Sequence, residues 1–205
     1  GYLFLIHPDF LLSYSLASKI NQYGFFSYGA NEALHLSAQE KETIMALFKI
    51  IDEELKSRID DFSHDVMISQ IDLLLNYSNR FYNRQFITHK AVYRDLVLKI
   101  EEALNEYFTT EKPLEAGLPT VQYLADQVHV SPSYLSDMLR SLTGQSAQQH
   151  IHQKLINTAK ERLSTTKDSV SEIAYGLGFG HPQSFSKLFK AKTKYSPLEF
   201  RQSFN

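Results

Sequence analysis

One two-helix pattern is written twice in the C-terminal half of the chain, and few folds can satisfy it. Residues 120–144 read TVQYLADQVHVSPSYLSDMLRSLTG and residues 169–194 read SVSEIAYGLGFGHPQSFSKLFKAKTK. Superposed, Ala125 meets Ala174 and Val130 meets Phe179 at an offset of 49, while Leu135 meets Phe185, Leu139 meets Phe189 and Thr143 meets Thr193 at an offset of 50. The second copy therefore carries one extra residue at its turn.

Each copy predicts two short amphipathic helices. Thr120 can cap a first helix whose apolar face is Val121, Leu124, Ala125 and Val128. After a turn at His129–Val130, Ser131 supplies an N-cap oxygen and Pro132 stands at the first helical position, where its missing N–H costs nothing. Leu135, Met138, Leu139 and Leu142 then recur at helical spacing. The second copy repeats this with Val170, Ile173, Ala174 and Leu177, a turn from Gly178 to His181, Pro182, and an inward face of Phe185, Leu188 and Phe189. The small Ala125 and Ala174 let each helix pair cross closely. The product is a helix-turn-helix, made twice. Residues 146–164 between the copies read as one long helix with Ile151, Leu155, Ile156, Ala159 and Leu163 inward, a spacer of about 27 Å. Ser196-Pro197 starts a last short helix ending near Phe204.

Upstream, Ser37 and Glu40 form a capping box, and Ile44, Phe48, Ile51 and Leu55 behind it predict a helix to about Arg58. A second helix is expected from about Ser63 to Asn83, with Met67, Ile71, Leu74, Leu75, Tyr77 and Phe81 on its buried side. A third, from about Ala91 to Phe108, carries Val92, Leu96, Ile100, Ala103, Leu104 and Tyr107 inward. Residues 37–108 thus read as a helical bundle and 109–118, with Pro113 and Gly117 and no apolar period, as a linker. Residues 1–36 are aromatic-rich with little helical period; short strands are expected around Tyr2–Ile6 and Gly24–Tyr28. The fold class is mainly all-α: an N-terminal bundle with a remnant of β structure, then a domain over 119–205 holding two helix-turn-helix modules joined by a linker helix.

Composition removes several function classes. There is no cysteine, so neither a disulfide framework nor a Cys-based zinc site is available. No run of about 18 apolar residues and no signal-peptide pattern occurs, which leads to the expectation of a cytoplasmic protein without membrane contact. Of the eight histidines, only His150 and His152 are near one another, and two helical positions apart they cannot share a metal. Neither a phosphate-cradling Gly loop nor a nucleophile elbow is present, so no enzymatic activity and no cofactor are expected. The net charge of −2 conceals an asymmetry: residues 119–205 hold ten Lys/Arg and six Asp/Glu, for +4, leaving −6 for residues 1–118. A basic half joined to an acidic half suits a chain of which one part meets a polyanion, although +4 is also compatible with ordinary solvated surface.

The stretch from Leu118 to Phe204 resembles the DNA-binding domain of the AraC/XylS transcription regulators. The resemblance rests on Leu124-Ala125, Ser131 to Ser136, Thr143-Gly144, Ala159 to Leu163, Ser171 to Tyr175, Leu177-Gly178-Phe179, Phe185-Ser186, Phe189-Lys190 and Ser196 to Arg201. It implies a sequence-specific regulator that reads adjacent major-groove segments of double-stranded DNA with two recognition helices. It also implies that residues 1–36 are the last strands of a cupin-like sensor barrel, mostly missing here, since a chain starting at Gly1 looks cut from a longer protein. Residues 37–108 would then be a dimerisation bundle forming a homodimer, the alternative being a self-contained helical core. RNA polymerase and a small-molecule effector held by the missing sensor are further candidate partners on the same ground. The competing function is a helical interaction module whose helix-turn-helix folds do not bind DNA.

With the apolar faces turned inward, the outward positions of the recognition helices match those that similar proteins direct at DNA. Ser133, Ser136 and Asp137 on the first, and Gln183, Ser184 and Lys187 on the second, are the candidate base-reading residues. Gln suits adenine, Lys suits guanine, Ser serves either weakly, and Asp can accept from cytosine. Arg140, Lys190, Lys192, Lys194 and Arg201 are the candidate phosphate contacts. Asp137 departs from the family's pattern, because similar proteins often carry a basic residue there; Arg140 could neutralise it.

Overall fold

The computed structural model describes residues 2–204, apart from the side chains of residues 90–92. It divides into two compact units, one ending at His89 and the other beginning at Lys90.

In the first unit, short 3-10 turns at Pro8–Leu11, Ile20–Gln22, Gly24–Ser27 and Ala30–Glu32 surround a one-turn helix α1 (Leu16–Lys19). Two long helices follow, α2 (Ala38–Lys56) and α3 (Ser63–Thr88), which pack on each other. The predicted capping box forms: Ser37 Oγ accepts from the Glu40 amide at 3.3 Å and Glu40 accepts from the Ser37 amide at 2.8 Å. Glu40 also takes Arg84 of α3 through two bonds of 2.6 and 2.9 Å, a fork geometry that ties the start of α2 to the last turns of α3. Leu47 and Ile51 meet Met67, Ile68, Ile71, Leu74 and Leu75 in the core. Each such side chain, fully buried, contributes about 1.5–3 kcal/mol.

The expected strands are absent; among the described residues there is no strand. Residues 2–6 have no regular structure and Gly24–Ser27 is a 3-10 turn. The reason is that the aromatic side chains find partners on the helices and the backbone finds no second strand to pair with. Leu11, Leu16 and Tyr23 join the α2/α3 core, Phe25 stacks on Tyr82 at 5.6 Å, and the Tyr23 hydroxyl donates to Asn76 at 3.0 Å. The buried Gln85 accepts from the His35 amide at 2.8 Å, so even its polar end is used to hold the leading segment.

The second unit opens with α4 (Lys90–Thr109) and continues through α5 (Lys112–Ala116), α6 (Val121–Gln127), α7 (Pro132–Thr143), α8 (Ala147–Thr165), α9 (Val170–Gly176), α10 (Pro182–Thr193) and α11 (Pro197–Gln202). Helix α4 packs on α5, α6, α7 and α8, with Ile100, Leu104, Tyr107 and Phe108 almost wholly buried. The third amphipathic helix thus lies with the helix-turn-helix elements rather than with α2 and α3. Residues 109–118 are likewise built into this unit: Pro113 is buried and the Tyr107 hydroxyl donates to the Gly117 carbonyl at 3.0 Å. Leu124, Ala125, Leu135, Met138 and Leu139 are 0% exposed, as are Ala174, Leu177, Phe185 and Phe189, so the centres of both predicted inward faces form the cores, while Val121, Leu142, Val170 and Leu188 at their edges are half-buried.

Candidate nucleic-acid interface

The two modules repeat down to single hydrogen bonds. At the turns, the Val130 amide donates to the Ala125 carbonyl at 3.1 Å and the Phe179 amide to the Ala174 carbonyl at 3.0 Å. The residue before each donor, His129 or Gly178, has a positive φ, of 56° and 93° respectively. The extra residue of the second copy is Gly180, after which the second helix restarts at Pro182 as the first does at Pro132. The restarts differ chemically: Ser131 Oγ accepts from the Tyr134 amide at 3.2 Å, whereas His181 makes no side-chain cap.

At the far ends, Thr143 and Thr193 each donate to the carbonyl four residues back, Leu139 or Phe189, at 2.8 Å. Gly144 and Lys194 follow in the left-handed conformation. Capping boxes Ser146–Gln149 and Ser196–Glu199 then start the next helices, so the duplication extends into α8 and α11. A lysine at φ 71° in the second copy, where the first has Gly144 at φ 76°, means that this turn tolerates a side chain.

These frames set the exposed faces of α7 and α10. On α10, Gln183, Ser184, Lys187 and Lys190 are all exposed, and the exposed Lys192 in its last turn and Lys194 just past its end extend the charge. On α7, Ser133, Ser136 and Asp137 are half-buried and Arg140 is exposed. Helix α8, which separates the modules in sequence, spans about 28 Å at 1.5 Å per residue.

The family model described as a helix-turn-helix domain matches residues 124–203. The chain is 30% identical over 154 residues to the uncharacterized HTH-type transcriptional regulator YfiF of Bacillus subtilis (strain 168), covering 75% of this chain and 44% of that protein. It is 32% identical over 117 residues to an uncharacterized HTH-type transcriptional regulator in the cgkA 5' region of Pseudoalteromonas carrageenovora, covering 57% of this chain and 63% of that one. Residues 124–203 are an AraC-type helix-turn-helix domain. Among solved structures, the C-terminal domain of the two-component response regulator yesN from Fusobacterium nucleatum subsp. nucleatum ATCC 25586 aligns at 28% identity and a TM-score of 0.44, over 50% of this chain and 93% of that one. The chain spans less than two thirds of the length of the curated relatives named.

Two features of this AraC-type domain bear on the residues expected to touch DNA. Arg140 Nη1 donates to Asp137 at 2.9 Å across one helical turn, so the carboxylate on the first recognition helix has its positive partner on the same helix. Arg201 is placed otherwise than expected for a phosphate contact. It is half-buried, its Nε donates to the Leu163 carbonyl at 3.1 Å, and its Nη2 is buried without a hydrogen-bond partner. It ties α11 to the end of α8, because position 201 corresponds to the buried Ile151 of the first copy and so faces the core.

Other polar groups of the domain find partners that helical period does not predict. Arg162 donates to the carbonyls of Gly176 at 3.0 Å and Phe108 at 3.2 Å, joining α8 to the ends of α9 and α4. The hydroxyls of Tyr93 and Tyr134, both buried, lie 2.9 Å apart, linking α4 to α7 across 41 residues of sequence. A cleft of about 220 Å³ between α4 and α8 is lined by Glu101, Leu104, Asn105, His150, Gln153, Lys154 and Asn157. Burial holds the His150 and His152 imidazoles below their ordinary pKa, Glu101 opposing that shift for His150 and Lys192 adding to it for His152. No group of three or more His, Cys, Asp or Glu among the described residues is placed to hold a metal, and no described helix is long and apolar enough to cross a membrane.

Proposed function

We propose that this chain is a sequence-specific DNA-binding transcription regulator in which α7 and α10 enter adjacent major-groove segments. The observation that carries the reading is the twice-built frame that sinks one face of each helix and leaves Gln183, Ser184 and Lys187 exposed on α10, with Ser133, Ser136 and Asp137 at the surface of α7. Gln183 is suited to adenine and Lys187 to guanine O6 and N7. Lys190, Lys192 and Lys194 supply the sequence-independent attraction to phosphate on the second module. Arg140 serves the first, offset by Asp137, so the second module contributes more of the affinity and the first more of the register.

Selection of binding sites from a random duplex pool tests the proposal. The expected result is an enriched site whose affinity falls linearly with the logarithm of salt concentration. On that site Lys187→Ala costs about 1–3 kcal/mol and relaxes preference at one base pair. No enriched sequence, or binding without a salt slope, refutes it.

A homodimer through α2 and α3 accompanies this reading. Leu55, Ile59 and Phe62 are 67%, 88% and 71% exposed around the α2–α3 connection. Leu55 also lines a groove of about 510 Å³, together with Tyr2, Leu3 and Phe48. Apolar surface of this kind marks interaction sites. Sedimentation equilibrium that finds only monomer at tens of micromolar overturns the dimer and leaves the DNA test standing.

A further inference from the structure

The two modules agree in their turns and caps but differ in how the first turn of the recognition helix is fastened. On α7 that turn carries Tyr134, which is 7% exposed and whose hydroxyl lies 2.9 Å from that of Tyr93 on α4. The equivalent residue on α10, fifty positions on, is Ser184, which is exposed. Among the described residues the second recognition helix has no such link at that position, and the first has one to a helix outside the helix-turn-helix motif.

Tyr134 stands between Ser133 and Leu135 and one turn before Met138, so its ring is sunk on one side of α7 while Ser133, Ser136 and Asp137 lie at the surface. The Tyr134 amide is also held, by Ser131 Oγ at 3.2 Å. Backbone and side chain of one residue are thus fixed at the point where α7 begins. A hydrogen bond between two buried hydroxyls holds the two side chains at a fixed separation. Tyr93 and the first turn of α7 consequently move together, and α4 itself is anchored by Ile100, Leu104, Tyr107 and Phe108.

We propose that Tyr93 is a positioning residue for DNA recognition by the first module, setting through Tyr134 the rotation and depth at which Ser133 and Ser136 are presented. It touches no DNA itself. The proposal rests on the DNA-binding reading above. It explains how a module whose base-reading groups are two serines and an arginine-paired Asp137 can hold register: small hydroxyl donors reach a base edge only from a fixed backbone position, whereas the long side chains of Gln183 and Lys187 adapt.

The test uses the full chain and the variants Tyr93→Phe, Tyr134→Phe and both together, each run through the random-pool selection and then titrated on the native site. Base pairs are assigned to modules beforehand with Ser133→Ala and Lys187→Ala, and unfolding curves confirm that each variant is folded. Tyr93→Phe is expected to lower affinity about five- to tenfold. It should relax base preference only at the positions that Ser133→Ala also relaxes, leaving those of Lys187 unchanged. The double variant should be no worse than the worse single one, because both remove the same bond. If a single variant does not fold, the double variant, which removes both hydroxyls, carries the test. An unchanged preference profile in folded Tyr93→Phe, or a loss spread evenly over both half-sites, overturns the positioning role alone. Absence of selective binding by the native chain overturns the DNA-binding reading and this proposal with it.

Discussion

Replacing Gly178 with alanine tests the frame of the second module. Gly178 sits in the turn between α9 and α10 at φ 93°. An added Cβ would lie 2.4 Å from the Gly117 carbonyl oxygen, 2.5 Å from its carbon and 3.0 Å from the Leu118 amide nitrogen. All three are backbone atoms that no rotamer change can move, and Gly117, the C-cap of α5, is itself at φ 80°. Two costs add: about 1–2 kcal/mol for a non-glycine residue in left-handed backbone and about 1–3 kcal/mol for overpacking. Their sum is about 2–5 kcal/mol. Gly144→Ala is the matched control, since φ there is 76° but no atom lies within 4 Å of the added Cβ; only the first cost applies. The first copy also shows that the conformation alone does not demand glycine, because His129 occupies the position equivalent to Gly178 at φ 56°. Urea unfolding followed by far-UV circular dichroism measures both variants, the chain having no tryptophan to report by fluorescence. Should Gly178→Ala cost no more than Gly144→Ala, the contact between the α9–α10 turn and Gly117 does not constrain the fold as described.

Two further outcomes follow from the site. Arg201→Ala should lower stability yet leave the slope of log affinity against log salt unchanged, because its Nε is held by the Leu163 carbonyl and its Nη2 is buried away from the surface. Lys190→Ala, at an exposed position, should reduce that slope by about one unit without lowering stability; equal effects on the slope would return Arg201 to the phosphate contacts. Stability should also fall in two steps on acidification, read as the urea midpoint across pH 3–8. His150 and His152 have folded pKa values depressed by burial, so the unfolded chain takes up protons first and stability declines as pH drops below about 6.5, a step that His150→Gln should shrink. Glu172 and Glu199 are held below the ordinary carboxylate range by hydrogen bonds from Ser169 and Ser196. Their contribution is present above about pH 4.3 and is lost as pH falls through the folded values. A midpoint that stays flat down to pH 4 contradicts the histidine step.

The chain's local rules were legible because they act within a few residues. Ser37, Thr120, Ser131 and Ser196 cap where their spacing to the next turn predicts, and the inward faces of α6, α7, α9 and α10 follow from helical period. Repetition made the motif specific, since two copies constrain each other's register. What sequence left open was the choice of partner. The amphipathic face of α4 fits any apolar surface, and only the packed structure assigns it to α6, α7 and α8. Aromatic residues near the N-terminus look alike whether they pair in a sheet or lie on helices, and here they lie on α2 and α3. Arg201 has the charge of a phosphate ligand but the register of a core position, and Tyr93 meets Tyr134 across 41 residues, a distance over which no periodicity carries. Caps and faces are short-range and were determined by sequence alone; which faces meet depends on shape and desolvation summed over whole helices, and only the tertiary structure decided that.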